Sequence, residues 1–357
     1  MTRSWKKLNP HWPLALILAG FLGLGLLYSV TTPLFESPDE MRHYRFVEHL
    51  GLTGQLPVQV GAVPGNLPLQ EASQPPLYYA LMASLSSWSL DGLADIPENP
   101  HATIGVPLAS DNKNAVLHTP AERFPYRGPA LTVHLLRWAT LVLAAASVAF
   151  TYFLALRVTD GDLVAASAAA AVNAFIPMYI FISASVNNDN LATLLSALAL
   201  LLMVRMLQDS HGPRDFALLG LVLGLAALAK LSALGLFALL AAICLALALR
   251  ERSLWLYLRR GLLSAAVAGL VAGWWYLRNL ALYGEPLGLT AMLGAAGKRP
   301  DSTSLWDLVS ELEGLGISFL GVLGVFNVLL EGWYYRIYAA LALLACLGFV
   351  LYLVRTW

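Results

Sequence analysis

Charge is what this sequence has little of. Only 12% of its 357 residues are charged and 58% are hydrophobic. A soluble domain carries about 25% charged and roughly 45–50% apolar residues. Mean hydropathy is +0.65, so a soluble globular chain is excluded and several membrane spans are expected. The 22 Lys and Arg balance the 22 Asp and Glu, and no basic excess argues for a nucleic-acid partner. Cysteine is equally scarce. Cys244 and Cys346 lie in separate apolar runs, which excludes a disulfide framework or zinc spacing and leaves two small buried hydrophobes. The sequence shows no convincing internal repeat, so an inverted-repeat transporter has little support. It also has no heptad seam and no low-complexity tail. After the first apolar run, Thr31-Thr32-Pro33-Leu34-Phe35 offers no small-residue cleavage site. That run therefore reads as an uncleaved helix rather than a signal peptide.

What is present is a succession of apolar runs. The first covers about 14–30. Arg3, Lys6 and Lys7 precede it and put the N-terminus in the cytoplasm. Residues 31–130, rich in Pro, Gly and Asn, then form one large extracytoplasmic loop. It is expected to hold two juxtamembrane helices, one over about 38–50 and one from Pro75-Pro76 to about Leu90. Further spans are expected over about 131–156, 163–182, 191–207, 261–280, 316–330 and 337–354. The run 216–249 is too long for one crossing: a single helix would extend about 51 Å, against a hydrocarbon core of about 30 Å. Arg214 precedes it and Arg250, Arg252, Arg259 and Arg260 follow it. Both ends therefore belong in the cytoplasm, and the run should cross twice, turning near Lys230-Leu231-Ser232. The reading is an all-α integral plasma-membrane protein with about nine transmembrane helices. Residues 1–357 form a single transmembrane domain.

Chemistry concentrates at the start of the large loop, in Glu36-Ser37-Pro38-Asp39-Glu40-Met41-Arg42-His43. Serine as N-cap, proline at N1 and glutamate at N3 make a capping box, which alone accounts for the acids. His43, four residues after Asp39, shares its helix face. A second acid of the same membrane face, Asp189, sits in Ser185-Val186-Asn187-Asn188-Asp189-Asn190, where it also suits a helix N-cap. Two carboxylates at one water–lipid boundary suit a general base and an orienting or metal-binding group. Lys230 is the most isolated charge of the membrane region, and such residues default to function, although snorkelling to the interface serves equally. Arg278, in Gly273-Trp274-Trp275-Tyr276-Leu277-Arg278-Asn279, ends a span at the same face. It reads either as part of an aromatic belt or, with Lys230, as a lipid-phosphate site.

Several segments together resemble a known family. Pro38-Asp39-Glu40-x-x-His43 resembles the first-loop acidic motif of the GT-C superfamily, polytopic glycosyltransferases that use polyprenyl-phosphate-linked sugars. Glu71-Ala72-Ser73-Gln74-Pro75-Pro76-Leu77-Tyr78-Tyr79 is similar to their second juxtamembrane segment, and Leu228-Ala229-Lys230-Leu231-Ser232 to their leucine-threonine-lysine turn. Trp275-Tyr276-x-Arg278-Asn279, Tyr283-Gly284-Glu285-Pro286-x-Gly288 and Ser318-Phe319-x-Gly321-x-x-Gly324 resemble a largely uncharacterised bacterial branch. That branch is akin to the protein O-mannosyltransferases and the aminoarabinose transferase of lipid A.

The resemblance implies an inverting enzyme. It moves a sugar from a polyprenyl-phosphate donor to a hydroxyl of a lipid, glycan or protein acceptor at the outer membrane face. It implies Asp39 as catalytic base or acceptor-orienting acid, Glu40 beside it and Asp189 as second-loop acid. Lys230 and Arg278 would lie near the donor phosphate, with His43 and Gln74 on the acceptor side. The departing phosphate needs no nucleotide, so a divalent cation (Mg or Mn) on Asp39, Glu40 and Asp189 is optional. Family members usually have more spans, so the chain is expected to be short at its C-terminus. From another class, a non-catalytic lipid or polysaccharide transporter or accessory protein would use the same charges to hold a headgroup.

Overall fold

The computed structural model describes residues 10–59, 71–86, 96–103, 105, 112–297 and 304–356. The N-terminal cations Arg3, Lys6 and Lys7 and the pair Lys298-Arg299 lie outside the described residues, as does any continuation of the second loop helix toward Leu90. The chain opens on helix α1 (Trp12–Thr31). The loop helices follow, α2 (Glu40–Thr53) and α3 (Leu77–Ser86). Then come α4 (Gly128–Val158), α5 (Leu163–Ala174), α6 (Pro177–Ser183) and α7 (Asp189–Gln208). Next are α8 (Pro213–Ala229), α9 (Leu236–Arg250) and α10 (Leu254–Tyr283). Two short helices, α11 (Leu289–Ala296) and α12 (Leu305–Ser310), lead to α13 (Leu312–Gly321). Strands β1 (Val322–Leu323) and β2 (Val328–Leu329) pair antiparallel before α14 (Gly332–Thr356). This is an all-α membrane protein.

Among the described residues, six helices are long and apolar enough to cross a membrane, or seven if α5 and α6 form one bent span. About nine were expected, and three local features account for the difference. The run 163–182 breaks by 65° because Pro177 opens α6, forcing Ile176 before it into an extended conformation. The run 216–249 does divide at Lys230: α8 ends at Ala229, a short 3₁₀ turn covers Leu231–Gly235, and α9 leads back. Arg250, at the far end of α9, donates to the Leu207 carbonyl at the end of α7, so α8 and α9 form a hairpin. The α8 leg, with 17 residues, is short for a span. The expected span 316–330 is overturned. Its helix stops at Gly321, where Gly324 at φ +62 and Phe326 at φ +59 turn the chain into the β1–β2 hairpin.

Small residues bring the helices close. A Cβ added at Gly220 of α8 would meet the Ser264 carbonyl oxygen of α10 at 2.4 Å, and one at Gly25 of α1 would meet Leu141 of α4 at 2.3 Å. Packing without a hydrophobic driving force depends on such close backbone approach. The largest buried cluster joins α2 and α3 to α4, α7, α8 and α9, through residues such as Tyr44, Tyr79, Leu136, Leu195 and Leu223. The loop helices are thus part of the helical body. Cys346, expected to be buried, is exposed on α14, while Cys244 is half-buried.

Candidate functional site

Helix α2 begins at Glu40, two residues later than a Ser37 cap would place it. Asp39 holds the cap position with φ +56, and its side chain makes no capping bond. Aspartate tolerates this left-handed conformation better than most residues, and non-glycine residues held there gather at functional sites. Freed from capping, the Asp39 carboxylate pairs with Arg42, and both side chains stay partly exposed.

Glu40 has the opposite fate. It is fully buried and accepts from Arg137 of α4, Nε to Oε1 at 2.7 Å and Nη2 to Oε2 at 2.6 Å. Arg137 gives its remaining donors to the carbonyls of Ser29, Thr32 and Pro33. All five guanidinium N–H groups are therefore engaged. Glu40 also accepts from the backbone N–H of Phe35 and of Val186. It locks the end of α1, the start of α2, α4 and the α6–α7 turn together. Both carboxylate oxygens of Glu40, expected beside Asp39 in the chemistry, are thus committed to protein donors.

Asp189 is the first residue of α7 rather than its cap, and its N–H donates to the Asn187 side chain at 2.8 Å. Its carboxylate accepts from Lys230 Nζ at 2.5 Å, across from the α8–α9 turn. The pair is open to solvent, Lys230 at 27% and Asp189 at 49%. Beside Lys230, the carbonyl of Ala229 accepts from the fully buried Asn188.

His43 lies within the electrostatic reach of both carboxylates. It is buried, its Nδ1 lies 2.8 Å from the Tyr79 hydroxyl of α3, and the two rings stack. Burial pushes its pKa down to about 4; the charges of Asp39 and Asp189 act against that shift, and those of Lys230 and Arg42 with it. Glu71 lies in the same field. Burial raises its pKa, Asp39 raises it further, and Gln74, Arg42 and Lys230 oppose the rise. His43 and Glu71 thus both feel the charges of Asp39, Arg42 and Lys230, with Asp189 acting on His43 and Gln74 bonded to Glu71.

Arg278 stands at the edge of this group. Nη2 donates to the carbonyls of Leu56 (3.3 Å) and Pro57 (2.8 Å), and the guanidinium lies 4.9 Å over the Trp275 ring. Its Nη1 is buried with no partner among the described residues. Trp275 packs with Leu228, two residues from Lys230. Arg278 therefore pins the chain leaving α2 and keeps one donor uncommitted.

The three carboxylates expected to be able to share a metal are each held by a cation instead: Arg42, Arg137 and Lys230. Among the described residues no three His, Cys, Asp or Glu side chains group as a metal site. Sequence reasoning missed Arg137, Glu71, Arg42 and Tyr79. Arg137 had a signal, being an ionisable residue inside an apolar run. Glu71 stood in the quoted Gln74 segment.

A family model described as "Predicted membrane protein (DUF2142)" matches residues 128–356. The chain belongs to the DUF2142 family. This DUF2142 protein also resembles the crystal structure of ArnT from Cupriavidus metallidurans bound to undecaprenyl phosphate. The TM-score is 0.51 at 14% identity, over 85% of this chain and 48% of that one. At that identity the likeness concerns the fold, which is GT-C-like, and the chain spans about half the length of that structure. No curated protein matches it.

Proposed function

We propose that this DUF2142 protein transfers a sugar from a polyprenyl-phosphate donor to an acceptor hydroxyl at the outer membrane face. One observation carries the reading: a partly exposed carboxylate in a strained turn, Asp39, shares a field with an open cation, Lys230, beside the ends of membrane helices. The fold likeness to a protein that binds undecaprenyl phosphate supports the same donor class.

In this mechanism Asp39 accepts the proton of the attacking hydroxyl. The hydroxyl oxygen forms a bond to the anomeric carbon as the bond from that carbon to the phosphate oxygen breaks, inverting its configuration. Polyprenyl phosphate leaves with the bonding electrons, and Lys230 stabilises the growing negative charge. Asp189 holds the lysine in place between turnovers. The uncommitted Nη1 of Arg278 supplies a second donor to the phosphate. His43 stays neutral above its lowered pKa and, with Tyr79, fixes the wall behind Asp39. Gln74 steadies Glu71 at the acceptor side. Glu40 acts only through position, by fixing the turn that presents Asp39.

The test is donor consumption in membranes supplied with a range of polyprenyl-phosphate sugars, comparing wild type and Asp39→Asn at equal expression. Loss of a general base costs about 10²–10⁴-fold in rate, so turnover in Asp39→Asn should fall below that of wild type by at least that lower figure. Lipid binding should be retained. If wild type consumes no donor while the variant loses lipid binding and movement, the protein is a transporter instead.

A further inference from the structure

A cavity of about 400 Å³ opens on the other side of Asp39, within the range of small-molecule sites, about 300–1,000 Å³. Its walls come from residues 35–45, from Ile96, Glu98, Asn99, Ala102, Ala115 and Val116 of the large loop, and from Val325 and Phe326 at the tip of the β1–β2 hairpin. No lining residue belongs to α4–α10. The cavity is therefore built by the loops, whereas Lys230 and Asp189 stand on the ends of membrane helices. Asp39 borders both.

Two observations mark the cavity as a built site. Five non-glycine residues in the described chain have positive φ, and three of them, Phe35, Asp39 and Phe326, line it. Strained backbone of this kind persists where surrounding structure over-determines it, and it gathers at ligand clamps. Both loop walls are also tied down. Asn327 Nδ2 donates to the carbonyls of Thr103 (3.2 Å) and Lys113 (2.9 Å), and Gly105 N–H donates to Val325 O (3.0 Å). Opposite, the buried Glu36 accepts from the N–H groups of Ala115 (2.8 Å) and Val116 (3.2 Å).

The lining defines the ligand. Arg42 pairs with Asp39 and Arg45 with Glu48, and Glu98 adds a carboxylate. These carboxylates outnumber the guanidinium groups by one, so an anion has no advantage. Planar polar groups, Arg42, Arg45, Glu98 and Asn99, together with the rings of Phe35 and Phe326, suit a molecule with hydroxyls at its rim and C–H faces above and below. We infer that this cavity binds a neutral saccharide, and that such a sugar is the acceptor whose hydroxyl Asp39 deprotonates. The acceptor role rests on the transferase reading; the saccharide site does not. The hairpin tip, through Phe326, sets which ring fits.

The test uses the detergent-purified full chain and four neutral disaccharides (maltose, cellobiose, chitobiose and mannobiose), with a Ser/Thr peptide as the competing acceptor class. Binding is read by saturation-transfer NMR, and undecaprenyl phosphate binding serves as the control for folding. At least one disaccharide should bind, and Phe326→Leu and Glu98→Gln should each weaken it about tenfold with the lipid control unchanged. If Phe326→Leu loses the control as well, the exposed Glu98→Gln change decides. No disaccharide binding, binding indifferent to Glu98→Gln, or peptide binding in its place would overturn the inference. Disaccharide binding in a protein that ignores undecaprenyl phosphate would keep the saccharide site and remove the lipid-linked donor.

Discussion

Helix α4 carries an arginine near each end. Arg137 is fully buried, with its five donors spent on Glu40 and three carbonyls. Arg157 is 45% exposed and pairs with Asp209 at 3.0 Å, also in contact with solvent. Residue type and helix are the same, and the surroundings decide the outcome. At the first end the chain folds back over the helices through α2, α3 and the α6–α7 turn, and the ion pair becomes a joint between them. At the other end short turns leave the pair in water, where its strength is screened. At the first end the charged group is fixed by five donors in a dry interior, whereas at the other the pair is held by an exposed contact to one nitrogen of the guanidinium.

The hardest test of this contrast removes one half of the buried joint. Arg137→Met leaves Glu40 buried without its cation, and breaking such a pair costs about 3–5 kcal/mol. We expect a large drop in the thermal inactivation midpoint of the purified protein, and recovery of much of the loss in Arg137→Met/Glu40→Leu. A single variant as stable as wild type would refute the joint.

Acid probes the same end more gently. His43 is neutral in the folded protein, its pKa lowered from 6.5 to about 4 by burial. The unfolded chain takes up that proton near pH 6.5, so the stability linked to His43 is complete above that pH. It is lost as pH falls toward 4, at about 1.4 kcal/mol per unit. Glu71, raised by burial, binds its proton earlier in the folded state and offsets part of the loss. Melting profiles from pH 7.5 to 4.5 should slope down in wild type and flatten in His43→Gln. Equal slopes in the two would remove His43 from the account.

The smallest effect belongs to the far end. Asp209→Ala breaks the exposed pair with Arg157 and should cost under about 1 kcal/mol, since exposed ion pairs contribute little. A shift in midpoint matching that of Arg137→Met would erase the contrast between the two ends.

Much of this was legible in the residues. The apolar runs located α1, α4, α7, α10 and α14, and the flanking arginines divided 216–249 at Lys230. The acids on either side of His43 were named before any geometry. What periodicity does not carry is the partner of a charge. Asp39 and Glu40 are neighbours with the same chemistry, and nothing local says that one meets Arg137, 97 residues away, while the other stays open. The α5–α6 break was written in Pro177 but was masked by a run apolar on both sides of it. The hairpin after Gly321 was hidden for the same reason, since its valines and leucines suit a strand and a buried helix equally.

Helix α8 has one further consequence. Its 17 residues rise about 25 Å, a few ångströms less than the hydrocarbon thickness of about 30 Å. If α8 crosses the bilayer, Lys230 at its end stands below the level of the surrounding lipid headgroups. The bilayer must thin there, or water must reach down to the lysine. A phosphate drawn to this spot gives up less of its hydration than one pulled into a flat membrane. The protein would then read membrane thickness, working best in lipids short enough to meet α8.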